Sequence, residues 1–306
     1  MRLAAIDIGS NAVRLLINEI TTYKDGSFDY TKINFLRIPL RLGLDVFDNK
    51  YISESKIVEM VDTMKAFSLL MKVYGVKDYK AFATSAMRDA ENQTDVLKRI
   101  SKEAQIEVEV ITGSQEAQLL FDTHMADYLD PKNDYLYIDV GGGSTEITFY
   151  KKGKIEEKHS FNIGTLRILK QGIDEDLWEK MREQIKNISK KSKQLTAIGS
   201  GGNINKVLSL LKRKNDKPLS ADVLKNYYKD LQALSIEERM HKYKLKEDRA
   251  DVIVPALQIY NAILRWGSIT EIYVPQFGLV DGIVRKLYLE KHVVSMMGLK
   301  KKRNLK

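Results

Sequence analysis

At 306 residues the chain exceeds the usual size of one domain, so two domains of roughly 150 residues each are expected. Hydrophobic residues at 43% are enough to fill ordinary cores, which excludes a disordered or collagen-like chain, and the absence of cysteine excludes disulfides and thiolate chemistry. The 50 basic against 41 acidic residues give a net charge of +9, which favours a polyanionic partner without identifying one.

In chain order, Leu3 to Asp7 reads as a short apolar strand that meets an acid before a signal-peptide core could form. No apolar run approaches the ~18 residues of a membrane helix. A soluble, cytoplasmic protein with no membrane partner is therefore expected. The strand leads into the turn Asp7-Ile8-Gly9-Ser10-Asn11 and a second strand from Val13 to Ile17. Phe28 to Arg37 reads as a strand, and Glu54 to Val73 as an amphipathic helix with Ile57, Val58, Val61 and Met64 on its apolar side. Tyr79 to Ala83 is a strand, Thr94 to Ala104 a helix and Ile106 to Ile111 a further strand. A helix from Ser114 runs through Glu116 towards Met125 and is expected to join the two halves. The boundary falls between about Asp122 and Asp134, giving domains 1–124 and 125–306.

The second half opens on Tyr135 to Asp139, turns on Gly141-Gly142-Gly143-Ser144 and enters another strand through Glu146 to Phe149. Lys180 to Lys193 reads as a solvated helix face. Gln194 to Ile198 is a strand that turns on Gly199-Ser200-Gly201-Gly202 into a helix from Asn203 to Leu211. Ala221 to Leu234 and Arg249 to Leu264 read as helices, Ile269 to Val274 as a strand, and Leu279 to Leu289 as a closing helix packed back towards the first domain. Strands and helices alternate throughout, so the class is mixed α/β. The same acid–glycine–serine turn, flanked by two strands, occurs once in each half and marks an internal repeat.

These turns carry the chemistry. Glycine lets backbone N–H groups converge on an anion, and the hydroxyls of Ser10 and Ser144 can add a hydrogen bond to a phosphate oxygen. One such turn is explained by hairpin geometry alone, whereas two matched turns, each preceded by an aspartate, favour phosphate binding. Asp7 and Asp139 then fit hard-oxygen ligands for Mg²⁺ or another divalent cation, although Asp is also a common turn residue. After Ala83, Thr84 and Ser85 can donate to phosphate and Arg88 can clamp it bidentately, or stand as a surface arginine. Glu116 lies in the first turn of its helix, where it serves either as a general base or as a partner of the helix dipole. Gly201-Gly202 opens a helix and offers a third anion contact. The four histidines show no zinc spacing, and P-loop, Rossmann and G-x-S-x-G patterns are absent. Trp178, Trp266 and the tyrosines are scattered rather than arranged as a stacking platform, so no nucleic-acid partner is expected.

Taken together, Asp7-Ile8-Gly9-Ser10-Asn11, Ala83-Thr84 with Arg88, Gly113 with Glu116-Ala117, and Asp139 through Glu146 resemble the exopolyphosphatase/guanosine pentaphosphate phosphohydrolase family in order and spacing. The resemblance continues through Ser160 to Arg167, Gly201-Gly202 and Arg249-Ala250-Asp251. It implies an α/β actin-like ATPase fold, with two similar ribonuclease-H-like domains around a central cleft. It also implies hydrolysis of terminal phosphate from inorganic polyphosphate or guanosine pentaphosphate, with Gly9, Ser10, Asn11, Arg88, Gly142, Gly143 and Ser144 on the phosphates, to which the turn itself adds Gly141. Glu116 matches the family's base, and Asp139 and Glu146 its acidic pair near metal and water. The chain resembles the short two-domain subgroup, which implies a preference for shorter chains or a nucleotide, and a homodimer is left open. Departures are Gln115 before the base, Phe121-Asp122-Thr123, Asn203, and Leu279-Val280-Asp281-Gly282. The last of these supports a rival reading as a binding or sensor protein, and the glycine turns alone would also suit a sugar kinase.

Overall fold

The computed structural model describes residues 1–25, 27–121, 130, 132–211, 217–275 and 278–303. In the first half the order is β1 (Arg2–Ile8), β2 (Val13–Thr22), β3 (Phe28–Ile38), α1 (Leu42–Asn49), α2 (Glu54–Val73), β4 (Asp78–Ala83), α3 (Ser85–Asp89), α4 (Gln93–Ala104), β5 (Glu109–Val110) and α5 (Gly113–Phe121). The second half contributes β6 (Asp134–Val140), β7 (Thr145–Lys151), β8 (Lys154–Phe161), α6 (Thr165–Gln171), α7 (Glu175–Lys190), β9 (Leu195–Ser200) and α8 (Gly202–Leu210). It closes with β10 (Leu219–Ser220), α9 (Ala221–Gln232), α10 (Ile236–Tyr243), α11 (Glu247–Ala250), α12 (Ile253–Trp266), β11 (Glu271–Tyr273) and α13 (Leu279–Arg303).

The strands form two sheets, ordered β3-β2-β1-β4-β5 and β10-β11-β9-β6-β7-β8. In each, an antiparallel hairpin and its third strand (β1-β2-β3, β6-β7-β8) continue into parallel neighbours (β4, β9). The repeat in the sequence is thus a repeat of topology, and the fold is the duplicated actin-like architecture. Alternation along each strand sends side chains to opposite faces. Ala4, Ile6 and Ile8 enter one core with α1, α2 and α4, while Leu3 and Ala5 face a second core shared with α5, α13 and Tyr135 and Tyr137 of β6. Helices α5 and α13 therefore lie between the sheets. Residues Val280, Ile283, Val284 and Leu287 of α13 are fixed against β1 by burial.

The long α2 forms because Ile57, Met60, Val61, Met64, Phe67 and Met71 recur at helical spacing and are all buried. Ile106 to Ile111, read as a strand from its apolar content, yields only the two-residue β5. The helix over Arg249 to Leu264 is broken into α11 and α12. Pro255 explains this break: a continuous helix would need its missing N–H to reach the Asp251 carbonyl, so the chain restarts at Ile253 and leaves Pro255 in a first turn. The continuation of α5 to Met125 lies outside the described residues. Two second-half residues, Leu166 and Val252, are fully buried in the first half's core. Each such side chain contributes on the order of 2 kcal/mol to holding the halves together.

Candidate active site

The two matched turns meet at the carboxyl ends of β1 and β6. In one, the Gly9 N–H donates to the Ala12 carbonyl at 3.1 Å; in the other, the Gly141 N–H donates to the Ser144 carbonyl at 2.9 Å. They approach so closely that a Cβ on Gly142 would stand 2.9 Å from Ser10 Cβ and 3.3 Å from Asn11 N. Only glycine fits there. Gly143 lies under Phe47 and Ser85, and its carbonyl accepts from Arg167 Nε at 2.9 Å. Ser10 Oγ is 2.8 Å from Ser85 Oγ and accepts from the Ala86 N–H at 3.2 Å, which ties the first turn to the start of α3. Between the turns opens a cleft of about 340 Å³ lined by residues of both halves.

One end of the cleft is acidic. Hairpin register sets Arg14 opposite Asp7 and Glu146 opposite Asp139. The same position therefore neutralises the first aspartate, through an Arg14 Nη1 to Asp7 Oδ2 pair, and doubles the charge beside the second. Glu116, from the first turn of α5, completes a group with Asp139 and Glu146 whose ligand oxygens lie within 4.8 Å of one another. Burial, the largest cause in each case, raises all three above the ordinary carboxylate range. Asp139 rises to about 6 with Asp7 adding to the effect, and Glu146 to about 7 with Asp139 adding to it. Glu116 is raised well above its ordinary value by burial, then by Glu146 and Asp139. Ser160 Oγ donates to Glu146 at 3.0 Å. Glu116 Oε2 is buried with no hydrogen-bond partner among the described residues.

The crowded carboxylates fit a divalent cation such as Mg²⁺ held through Asp139 and Glu146, whose charge would offset the repulsion that burial intensifies. Asp7, already engaged by Arg14, lies outside this group. Millimolar Mg²⁺ is expected to raise the melting temperature by roughly 5 °C, with chelator reversing it and Asp139→Asn losing most of the rise. Thermal denaturation of the two proteins checks this; an equal rise in both removes Asp139 from the cation site.

The other end is basic. Arg37, Arg249 and Lys32 line it, with Arg14 between them and the carboxylates, paired to Asp7 and acting on Asp139 as well as on Arg249. Arg249 Nη1 donates to Asn203 Oδ1 at 3.1 Å, and its guanidinium fills the space where a Gly202 Cβ would sit, 2.5 Å away. Burial first, then repulsion from Arg37 and Arg14, lower its pKa to about 9. Arg37 is also held below its ordinary value, by burial first, and pairs with Asp248 at 2.6 Å.

Of the residues singled out in the sequence, Asp7, Gly9, Ser10, Asn11, Glu116, Asp139, Gly141, Gly142, Ser144, Gly201 and Gly202 line this cleft. Gly143 and Glu146 stand directly behind it. Arg88 does not line it; its Nη1 donates to the Ile111 carbonyl at 2.8 Å, and its charge favours ionisation of Glu116 and Glu146. The sequence reading assigned no role to Arg14, Arg37 or Lys32, and placed Arg249 only within a resembling segment. The hairpin spacing that opposes Asp7 to Arg14 was the signal for the first. No helix among the described residues is long and apolar enough to cross a membrane.

Two α/β halves of shared topology, meeting at a cleft acidic at one end and basic at the other, define a two-domain protein of the actin-like class. The chain belongs to the Ppx/GppA phosphatase family, whose pattern matches residues 21–291. It is similar to a bifunctional 3-dehydroquinate synthase/phosphatase of Fusobacterium nucleatum, at 36% identity over 174 residues, covering 54% of this chain and 25% of that protein. It is similar also to exopolyphosphatase 1 of Mycobacterium bovis, at 31% identity over 176 residues, covering 58% of this chain and 50% of that one. The chain thus spans half or less of the length of these two relatives. The crystal structure of an exopolyphosphatase from Cytophaga hutchinsonii superposes with a TM-score of 0.78 at 26% identity, covering 94% of this chain and 97% of that one.

Proposed function

We propose that the protein is an exopolyphosphatase, releasing orthophosphate from the end of inorganic polyphosphate. The observation that carries the reading is the polarity of the cleft. Glu146, buried, and Glu116 and Asp139, half-buried, stand at one end, Arg37 and Arg249 at the other, with Arg14 and the glycine turns between them. A polyphosphate chain fits this axis with its terminal phosphate against the carboxylates and the following phosphates along the arginines. Water attacks the terminal phosphorus, the bridging P–O bond breaks, and the bridging oxygen leaves with the shortened chain. Phosphoryl transfer asks the protein mainly for positioning and neutralisation of charge.

Glu116 orients the water and accepts its proton through Oε2, which has no hydrogen-bond partner among the described residues. Backbone N–H groups of the two turns and the arginines hold the non-reacting oxygens. A divalent cation held through Asp139 and Glu146 would supply further charge neutralisation.

The test is orthophosphate release from medium-chain polyphosphate, with Mg²⁺ and with chelator, beside guanosine pentaphosphate as an alternative substrate. No release from polyphosphate by folded protein overturns the reading. The basic end has its own test. Gly202→Ala places a methyl against the tip of Arg249, a flexible group that can yield, so stability is retained while the arginine moves. KM for polyphosphate is expected to rise about tenfold with kcat little changed. An unchanged KM removes Arg249 from substrate contact.

A further inference from the structure

The segment Asp248 to Val252 is held by both halves: Ala250 is buried in the second half's core and its carbonyl accepts from Arg239 Nη1 at 3.0 Å, while Asp248, Asp251 and Val252 cross to the first half. Asp248 pairs with Arg37 at 2.6 Å, and its carbonyl accepts from Asn11 Nδ2 at 3.1 Å. Asp251 pairs with Arg41 through Arg41 Nη2 and Asp251 Oδ2, and Val252 is fully buried in the first half's core. Arg249, in the middle of these contacts, turns the other way, to Asn203 and the cleft. Its place in the cleft is therefore set in part by residues of the opposite half.

Arg41 stands out among these holders. It does not line the cleft, so it has no contact of its own to offer a substrate there. Its backbone lies in the left-handed region at φ 57°, a conformation unfavourable for a residue with a Cβ. The strain is held by the Arg41 N–H donating to the Asn11 carbonyl at 3.1 Å. One residue thus joins the first glycine turn, through its backbone, to the Arg249 segment, through its side chain. Both members of the ion pair are largely buried, at 18% and 12% side-chain exposure, which separates it from the surface pairs that contribute little.

We propose that the Arg41–Asp251 pair is a cross-domain latch, and that Arg41 is a positioning residue which brings Arg249 into the cleft when the two halves close. The proposal rests on the exopolyphosphatase reading for its consequence, but not for the latch itself. A closed latch completes the basic end; an open one leaves Arg249 displaced from Arg14 and Arg37.

Charge exchange tests it. Arg41→Asp and Asp251→Arg are each expected to raise KM for medium-chain polyphosphate about tenfold with kcat within about threefold, and the double exchange to return KM to near the original. A contact that only stabilised the fold would not restore KM in this way. Because the chain has no cysteine, Val73→Cys and Lys186→Cys can carry a pair of spin labels, one on α2 and one on α7. The distance distribution is expected to broaden with Arg41→Asp and to narrow again in the double exchange. Where Arg41→Asp folds poorly, Arg41→Met is the second variant, with broadening again expected. An unchanged distribution in the single variants, or no recovery in the double, overturns the latch. If the parent protein releases no orthophosphate, the activity reading fails and the distance measurement alone decides.

Discussion

Replacing Glu116 by Gln is expected to lower orthophosphate release from polyphosphate roughly 10²-fold or more while leaving KM within about threefold. The amide keeps the shape of the side chain and the reach of one oxygen but cannot take a proton from water. The alternative role for Glu116, as the acid that supports a helix N-terminus, is already filled. The Thr112 N–H donates to Gln115 Oε1 at 2.8 Å, and the Gln115 N–H donates to Thr112 Oγ1 at 3.2 Å. This reciprocal cap leaves Glu116 Oε2 buried and unpartnered among the described residues, facing two other carboxylates. A residue kept there costs stability rather than providing it, so Glu116→Gln is expected to melt no lower than the parent in the absence of metal. Steady-state kinetics and thermal denaturation on one preparation check both statements. Turnover within a few-fold of the parent would remove Glu116 from the proton transfer, and a clear loss of stability would return it to the capping role.

The Thr112–Gln115 cap also bears on what a sequence can reveal. In the sequence Gln115 stands as a departure from the family pattern. In the structure it takes over the cap and frees its neighbour. The acidic group was half legible in the same way: Asp7 and Asp139 are visible as a pair because both precede a glycine turn. What separates them is the residue seven positions later, Arg14 in one hairpin and Glu146 in the other, and its meaning depends on strand register. Arg37 gave no local signal. It ends a strand like many others, and only folding brings it to Asp248 and Arg249. Among the elements, α10 could have been read from Ser235 and Glu238, which form a capping box at 3.1 and 2.7 Å. Helix α6 is too short to show periodicity and is defined by what it caps, which no sequence pattern displays.

That short helix carries the second large effect. The N–H groups of Thr165, Leu166 and Arg167, unpaired within any helix because they open one, donate instead to the carbonyls of Gly141 and Gly142 at 3.0, 2.8 and 3.1 Å. The second glycine turn is therefore the cap of α6, and α6 in turn sends Leu166 into the core of the first half and Arg167 onto Asp89 at 2.6 Å. Gly164 stands at the junction. Its φ of −146° suits any residue, so an added methyl brings no backbone strain of its own. The obstacle is space: the Cβ would lie 2.5 Å from the Gly142 carbonyl oxygen and from the Gly143 N and C, all of them backbone atoms that cannot rotate away. Gly164→Ala must push the turn or the helix aside. It is expected to destabilise the protein by about 2–4 kcal/mol and to raise KM for polyphosphate at least about tenfold, since the same carbonyls that cap α6 fix the turn's N–H groups on the cleft. Gly172→Ala serves as the control. That glycine, at φ 74° and ψ −162° with open space around it, should cost about 1–3 kcal/mol through its backbone alone and leave KM unchanged. If the two variants behave alike in both melting and KM, the turn is not positioned by α6; if only Gly164→Ala raises KM, the fold of the second half is what holds the phosphate site in register with the first.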